Sequence, residues 1–228
     1  MRVVRPVGEA AVLLEWTEID EPAARRKALA VAAHLERRPP DGLRGWTLGA
    51  RSLLAAFDPA VFDERGFAAA AAAWENDFAA IAPGTLHEVP VCYGGTGGID
   101  LAELAAERGI SPEAFAQRHA SVEYRVAFLG FSPGFAYLAG LPEDLAAPRL
   151  PSPRTQVPRG SVAIGGPYTG IYPESGPGGW RLIGRSPVTL FDARRDPPAV
   201  LAPGDRVRFV AIEEWKFAAL AASGNIRA

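Results

Sequence analysis

The chain has 228 residues, 24 basic against 26 acidic side chains for a net charge of −2, and 48% hydrophobic residues, the profile of a globular protein with one large core or two small ones. That balance gives no electrostatic footprint for nucleic acid or an anionic membrane, and a single cysteine, Cys92, excludes an internal disulfide framework and a multi-cysteine zinc site. The first residues hold no apolar stretch of signal-peptide length and no run nears the roughly 18 apolar residues of a membrane span, so the expectation is a cytoplasmic protein.

Residues 3–16 read as a β-hairpin turning at Gly8-Glu9. An Ala/Arg/Leu-rich helix follows over residues 22–38, closed by Pro39-Pro40-Asp41-Gly42. Residues 45–49 and 52–57 are strand candidates, and a second helix is predicted over 63–81, ending at Pro83-Gly84. This mixture, joined by short loops, predicts a small α+β domain over residues 1–85. A strand over 87–93 opens a second domain, 86–228, and Gly94-Gly95-Thr96-Gly97-Gly98 breaks it. Asp100-Leu101-Ala102-Glu103 reads as a capping box opening a helix to Arg108, and Ser111-Pro112 as an N-cap and first residue of another helix to His119. Strands are then predicted over 124–129, 161–164, 180–183, 188–191 and 206–210, with a weakly helical tail over 213–222. Strands at this spacing suggest a closed or nearly closed barrel. Cys92 reads as a small core residue.

From Gly130 to Gly204 there are 12 Gly and 13 Pro in 75 residues, a density that would signal disorder were it not interleaved with seven aromatic rings, with Phe128 just ahead of them. Four segments here carry candidate chemistry. In residues 130–138, Pro133-Gly134 suits the centre of a type II turn that presents Phe131, Phe135 and Tyr137 together, as either a packed barrel corner or a pocket wall. Residues 148–161 hold four prolines among Arg149, Arg154, Arg159 and Ser161. A stiff arginine there suits a bidentate clamp on a carboxylate or phosphate, or else is merely solvated. Tyr168-Thr169-Gly170-Ile171-Tyr172-Pro173 and Pro177-Gly178-Gly179-Trp180, running on to Arg185, combine close-approach glycines with stacking faces, or form tight turns around a core tryptophan. Of the three histidines, His119 ends a helix just before an aromatic-rich strand. No His/Asp/Glu set has metal-ligand spacing, so no metal site is expected. Neither lysine, Lys27 or Lys216, follows a glycine, which excludes a P-loop.

The run from Pro90-Val91-Cys92-Tyr93-Gly94-Gly95 to Pro203-Gly204-Asp205-Arg206-Val207 carries these segments in order. It resembles the family of the 5-oxoprolinase B subunit, also known as allophanate hydrolase subunit 1, carboxyltransferase domain C/D and the kinase inhibitor KipI. The resemblance implies an α+β N-terminal domain and a mainly-β, cyclophilin-like C-terminal barrel. It also implies work with a KipA-like C subunit and with a LamB/YcsF-like A subunit in the ATP-dependent opening of 5-oxoproline to glutamate. On that reading the chain lacks a complete ATP site, and ATP with its Mg²⁺ is shared with a partner. His119 and Arg154 are the expected catalytic residues; Arg149, Ser161, Thr169, Tyr172, Gly178, Gly179, Trp180 and Arg185 are the expected substrate or phosphate contacts. Two other roles fit the same resemblance, a KipI-like inhibitor of a sporulation histidine kinase and a carboxyltransferase subunit of a urea carboxylase system. Ala120, Arg159 and Tyr168 depart from the family's usual residues, and the bulk and charge of the last two are expected to narrow the pocket or favour a more anionic ligand.

Overall fold

A computed structural model describes residues 2–223. Its internal contacts divide the chain between Pro83 and Gly84 into two units.

The first unit is a four-stranded antiparallel sheet with helices. Its strands are β1 (Arg2–Pro6), β2 (Ala11–Trp16), β3 (Leu43–Leu48) and β4 (Ser52–Phe57), in the order β1-β2-β4-β3. Strands β2 and β4 bury alternate residues, Val12, Leu14 and Trp16 on one and Leu53, Ala55 and Phe57 on the other, as a half-covered pleated sheet requires. Helix α1 (Glu21–Arg37) starts where the Asp20 carboxylate accepts the Ala23 N–H at 2.8 Å, and it buries Ala24, Ala28, Val31 and Leu35 along one stripe. The helix predicted over 63–81 is shorter. Helix α2 (Glu64–Trp74) stops at Glu75, and a separate 3₁₀ turn spans Phe78–Ala80. Asn76 and Asp77 cause the break: their side chains are taken by Lys27 (2.6 Å) and His34 (2.9 Å), and such residues favour turns over helix interiors.

The second unit is built round a closed seven-stranded barrel. Its elements in chain order are β5 (Leu86–Tyr93), α3 (Leu101–Ala106), α4 (Pro112–Ala120), β6 (Glu123–Leu129), β7 (Ala136–Ala139), β8 (Arg154–Val157), β9 (Ser161–Gly165), β10 (Tyr168–Ile171), β11 (Gly176–Gly178), β12 (Arg181–Arg185), β13 (Arg206–Ala211) and α5 (Glu214–Ser223). The barrel order is β10-β7-β6-β13-β5-β12-β9, with β8 and β11 as a separate ribbon. Only the β13–β5 pair is parallel. Val89, Val91, Val126, Leu138, Val162, Ile164, Ile183 and Val207 fill the core with Leu104 and Phe115 from α3 and α4. Strand β9 is buried on both faces: Val162 and Ile164 join this core, while Ala163 between them joins a second cluster with Phe135, Val157, Tyr172, Trp180 and Leu182.

Several expectations are corrected. Residues 188–191 are no strand; Val188 and Leu190 are buried in the core, and a single bridge pairs Phe191 with Ala199. Pro187 and the turn-rich 192–198 segment leave no room for a ladder. Asp100 does not cap α3, because its carboxylate is occupied elsewhere, and α3 ends at Ala106, before Arg108. Cys92 is only partly buried, and that burial pushes its thiol up. Strands β7, β8, β10 and β11 are short, and glycine, proline and polar residues mask their alternation. No helix among the described residues is long and apolar enough to cross a membrane.

Candidate functional site

The second apolar cluster, opposite the barrel interior, opens as a pocket of about 280 Å³. Its walls come from elements far apart in sequence: Phe131 and Phe135 from the turn into β7 and Tyr137 from β7 itself, Arg149, Leu150 and Pro153 from the proline-rich stretch, Tyr172 after β10, and Pro177, Gly178, Gly179 and Trp180 from β11 and the step from it into β12. The rings meet edge to face. Trp180 lies 5.3 Å from Phe135 and 5.5 Å from Tyr137, and Phe135 lies 5.3 Å from Tyr172, all at 75–86°, the geometry that aligns ring edges with ring faces.

Local sequence explains why this wall is rigid. The Phe135 N–H bonds the Ser132 carbonyl at 3.0 Å across Pro133-Gly134, with Gly134 at φ +79°; this is the predicted type II turn. Trp180 lies flat on the backbone of β9, where a Cβ on Gly165 would meet its ring at 2.4 Å. Gly178 is likewise required, since a Cβ there would meet the Tyr172 hydroxyl. Burial pushes the Tyr172 hydroxyl up, opposed by a backbone hydrogen bond at Trp180 and by the charges of Arg149 and Arg154. It is therefore a protonated phenol at neutral pH.

Arg149 is exposed, and its guanidinium sits 6.0 Å from the Trp180 ring centroid, where the ring face favours a cation. It has neither a hydrogen-bond nor an ion-pair partner among the described residues, so it is free to take an anion. Arg154 is placed differently. Its Nη2 donates to both Asp100 carboxylate oxygens, at 2.7 and 2.9 Å, and its Nη1 to the Trp180 carbonyl at 3.2 Å. Asp100 also accepts the Leu182 N–H at 2.6 Å, and Leu150 N–H bonds the Gly179 carbonyl at 2.7 Å. This stitching fixes residues 150–154 against 179–182, and so fixes the pocket floor. The carboxylate already satisfies the fork of Arg154, which is not presented to a ligand.

The other sequence candidates lie outside this pocket. His119 has no exposed surface and stacks 4.7 Å from Phe209 in the barrel interior. Its Nδ1 accepts from the Tyr93 hydroxyl at 2.7 Å and its Nε2 donates to Thr169 Oγ1 at 2.9 Å, since the Thr169 hydroxyl hydrogen goes to the Ala163 carbonyl. Burial pulls its pKa down to about 3, which keeps the ring neutral. Ser161 is buried and its carbonyl accepts the Tyr172 N–H at 2.9 Å. Arg185 lines a different groove, with Tyr93, Gly95, Gly97 and Gln117, its Nε donating to the Arg159 carbonyl at 3.0 Å. Arg159 donates to Thr189 at 2.6 Å and lines neither face of the aromatic pocket, so it does not narrow it. Tyr168 stands behind the wall, edge-on to Tyr137 at 5.6 Å. The structure thus brings Arg149, Tyr172, Gly178, Gly179 and Trp180 together and leaves His119, Arg154, Ser161, Thr169 and Arg185 apart. Sequence reasoning missed Asp100 as the anchor of the floor, because its spacing to Glu103 reads as a local cap. Among the described residues no cluster of three or more His, Cys, Asp or Glu could hold a metal ion.

Comparison with known proteins places this geometry. The model of the carboxyltransferase domain, subdomain C and D family matches residues 1–201. The 5-oxoprolinase B subunit of Escherichia coli O157:H7 is 54% identical over 141 residues, 62% of this chain and 65% of that protein. Its namesake from Bacillus subtilis (strain 168) is 49% identical over 138 residues, 60% of this chain and 58% of that protein. The crystal structure of TTHA0988 is similar with a TM-score of 0.77 and 38% identity, over 92% of this chain and 40% of that one. The matches span less than two thirds of each relative's length.

Proposed function

The chain belongs to the carboxyltransferase domain, subdomain C and D family, and on that premise we propose that it is the B subunit of an ATP-dependent 5-oxoprolinase, a cytoplasmic enzyme that opens 5-oxoproline to L-glutamate. The observation that carries this reading is the pocket itself: one unpaired guanidinium, Arg149, over a small aromatic box with a protonated phenol, Tyr172. Relatives about 50% identical that are named as 5-oxoprolinase B subunits support it. So does a barrel whose outer face carries the pocket, in the manner of a cyclophilin-like domain.

5-Oxoproline is a flat five-membered lactam with one carboxylate. In this reading Arg149 takes the carboxylate as a bidentate pair, the edges and faces of Phe135, Tyr137 and Trp180 hold the ring, and the Tyr172 hydroxyl donates to the lactam oxygen. The lactam is a stable amide, and ATP would supply phosphoryl activation of its oxygen with release of ADP; one water then adds at the carbon, the ring nitrogen takes a proton as the C–N bond breaks to leave an acyl phosphate, and a second water displaces phosphate to give the new carboxylate of glutamate. A single free guanidinium fits one carboxylate but not a triphosphate. ATP and Mg²⁺ are therefore assigned to a surface completed by the KipA-like C subunit or the LamB/YcsF-like A subunit. His119, Thr169, Ser161 and Arg154 act as the scaffold behind the pocket, and Arg185 has no part in it.

The test is ATP-dependent glutamate release from 5-oxoproline by this chain together with the C and A subunits, compared with any of the three omitted. Activity that needs all three supports the reading; a full complex that releases no glutamate overturns it.

A further inference from the structure

The least expected feature of the pocket is Phe131. It is the only non-glycine residue among those described with a positive φ, at +68°. That region suits glycine, or asparagine and aspartate whose side chains bond locally; phenylalanine has no such compensation. The Ser132 N–H bonds the Gly130 carbonyl at 2.8 Å across Phe131, so the residue sits at the centre of a γ-turn of the rare positive-φ kind. Burial does not explain the strain, because the side chain is 62% exposed.

The turn holds because its surroundings over-determine it. Gly130 N–H bonds the Phe135 carbonyl at 3.1 Å, and the type II turn closes between Ser132 and Phe135. Gly134 is pressed against Phe191, where a Cβ would come within 2.7 Å. Strain held this firmly marks function more often than accident. The ring it presents stands at the pocket mouth, edge-on to Phe135 at 5.4 Å and to Tyr172 at 6.1 Å. Glycine or asparagine would make the same turn at lower cost, so the ring itself is what the position supplies.

We propose that Phe131 is the specificity-determining wall of this pocket, a fixed aromatic plate that admits a flat five-membered cyclic acid and excludes its larger-ring homologues. The proposal rests on the reading that the pocket binds a small carboxylate ligand. Phe131 lines one side of this pocket of about 280 Å³ and Arg149 another, so in a ligand anchored by its carboxylate at Arg149 an extra methylene is pushed against a plate that cannot yield.

The test uses ligand-observed NMR titration of the full chain with 5-oxoproline and its six-membered homologue, 6-oxopiperidine-2-carboxylate. Wild type should prefer the five-membered acid by about tenfold or more, the discrimination one methylene can give. Phe131→Ala and Phe131→Gly should each reduce that preference to about twofold or less, by admitting the larger ring. Phe131→Gly should also raise the melting temperature, since glycine accepts the positive φ, and this variant guards against misfolding. If wild type binds 5-oxoproline and both variants keep its preference, the specificity role is wrong and the proposed function stands. If wild type binds neither acid, both fall. If the variants keep the preference but no longer co-elute with the C subunit, Phe131 is a partner contact and the proposal is likewise overturned.

Discussion

Replacing Arg154 by alanine removes a guanidinium that serves three acceptors at once: both oxygens of Asp100 and the Trp180 carbonyl. Asp100 is 6% exposed. Without Arg154 its charge keeps only the Leu182 N–H. Breaking one side of a buried ion pair costs about 3–5 kcal/mol, because the remaining charge is left uncompensated. The Arg154 side chain keeps 23% exposure, so water screens part of the loss and the lower end, about 3 kcal/mol, applies. For a chain of this size that corresponds to a fall in melting temperature of roughly 6–12 °C. Arg154→Lys should recover little, since an ammonium cannot span both carboxylate oxygens and the Trp180 carbonyl. Asp100→Ala combined with Arg154→Ala should cost less than the two single changes added, because the double variant leaves no orphaned charge. The assay pairs thermal unfolding of each variant with the reconstituted glutamate-release measurement below the melting range. Activity should fall only as far as the Trp180 floor loosens. An unchanged melting temperature with activity lost would refute this reasoning and return Arg154 to the reacting centre as a ligand clamp.

Arg149→Ala should behave in the opposite way: the melting temperature holds, since the side chain is exposed and unpaired, while 5-oxoproline binding weakens about tenfold or more with the loss of a charge-assisted pair of roughly 1.5–3 kcal/mol; NMR titration and a melting curve on the same sample check both. Gly165→Ala drives a methyl into the Trp180 ring at 2.4 Å, and overpacking should cost about 1–3 kcal/mol; altered Trp180 fluorescence and weakened ligand binding are the readouts, and wild-type behaviour would show that the ring does not lie on β9. His119 is neutral in the fold with its pKa pulled down to about 3, whereas in the unfolded chain it titrates near its ordinary 6.5. The unfolded state therefore binds the extra proton between these values, and stability falls as pH drops below 6.5, by about 2 kcal/mol at pH 5. The His119 ring-proton NMR shifts should accordingly not move between pH 7 and pH 5, and titration of that ring near 6.5 would refute its buried, doubly bonded placement.

Much of the fold is legible in the amino-acid order alone. The apolar runs over 11–14 and 53–57 and the alternating Val89, Val91 and Tyr93 read as strands, and Ser111-Pro112 declares a helix start, because capping, turn signals and short apolar runs are local rules. The Pro133-Gly134 turn is readable for the same reason: proline and glycine each suit one backbone position. The gathering of Arg149, Tyr172 and Trp180 is visible only as a set of candidates, since residues 23 and 31 positions apart meet through barrel closure and not through any periodicity. Where local and long-range signals conflict, the local one misleads. Asp100 has the spacing of a helix cap, yet its carboxylate lies 2.7 Å from an arginine 54 residues on, because an ion pair sheltered from water outweighs an N-terminal hydrogen bond open to it. His119 has the chemistry of a proton carrier, and only the barrel's closure removes it from solvent and fixes it as a neutral strut between Tyr93 and Thr169. Residue type and local spacing determined which elements form and which side chains could act; tertiary packing decided which of them keep a free charge, because only the folded chain settles who is desolvated and who already has a partner.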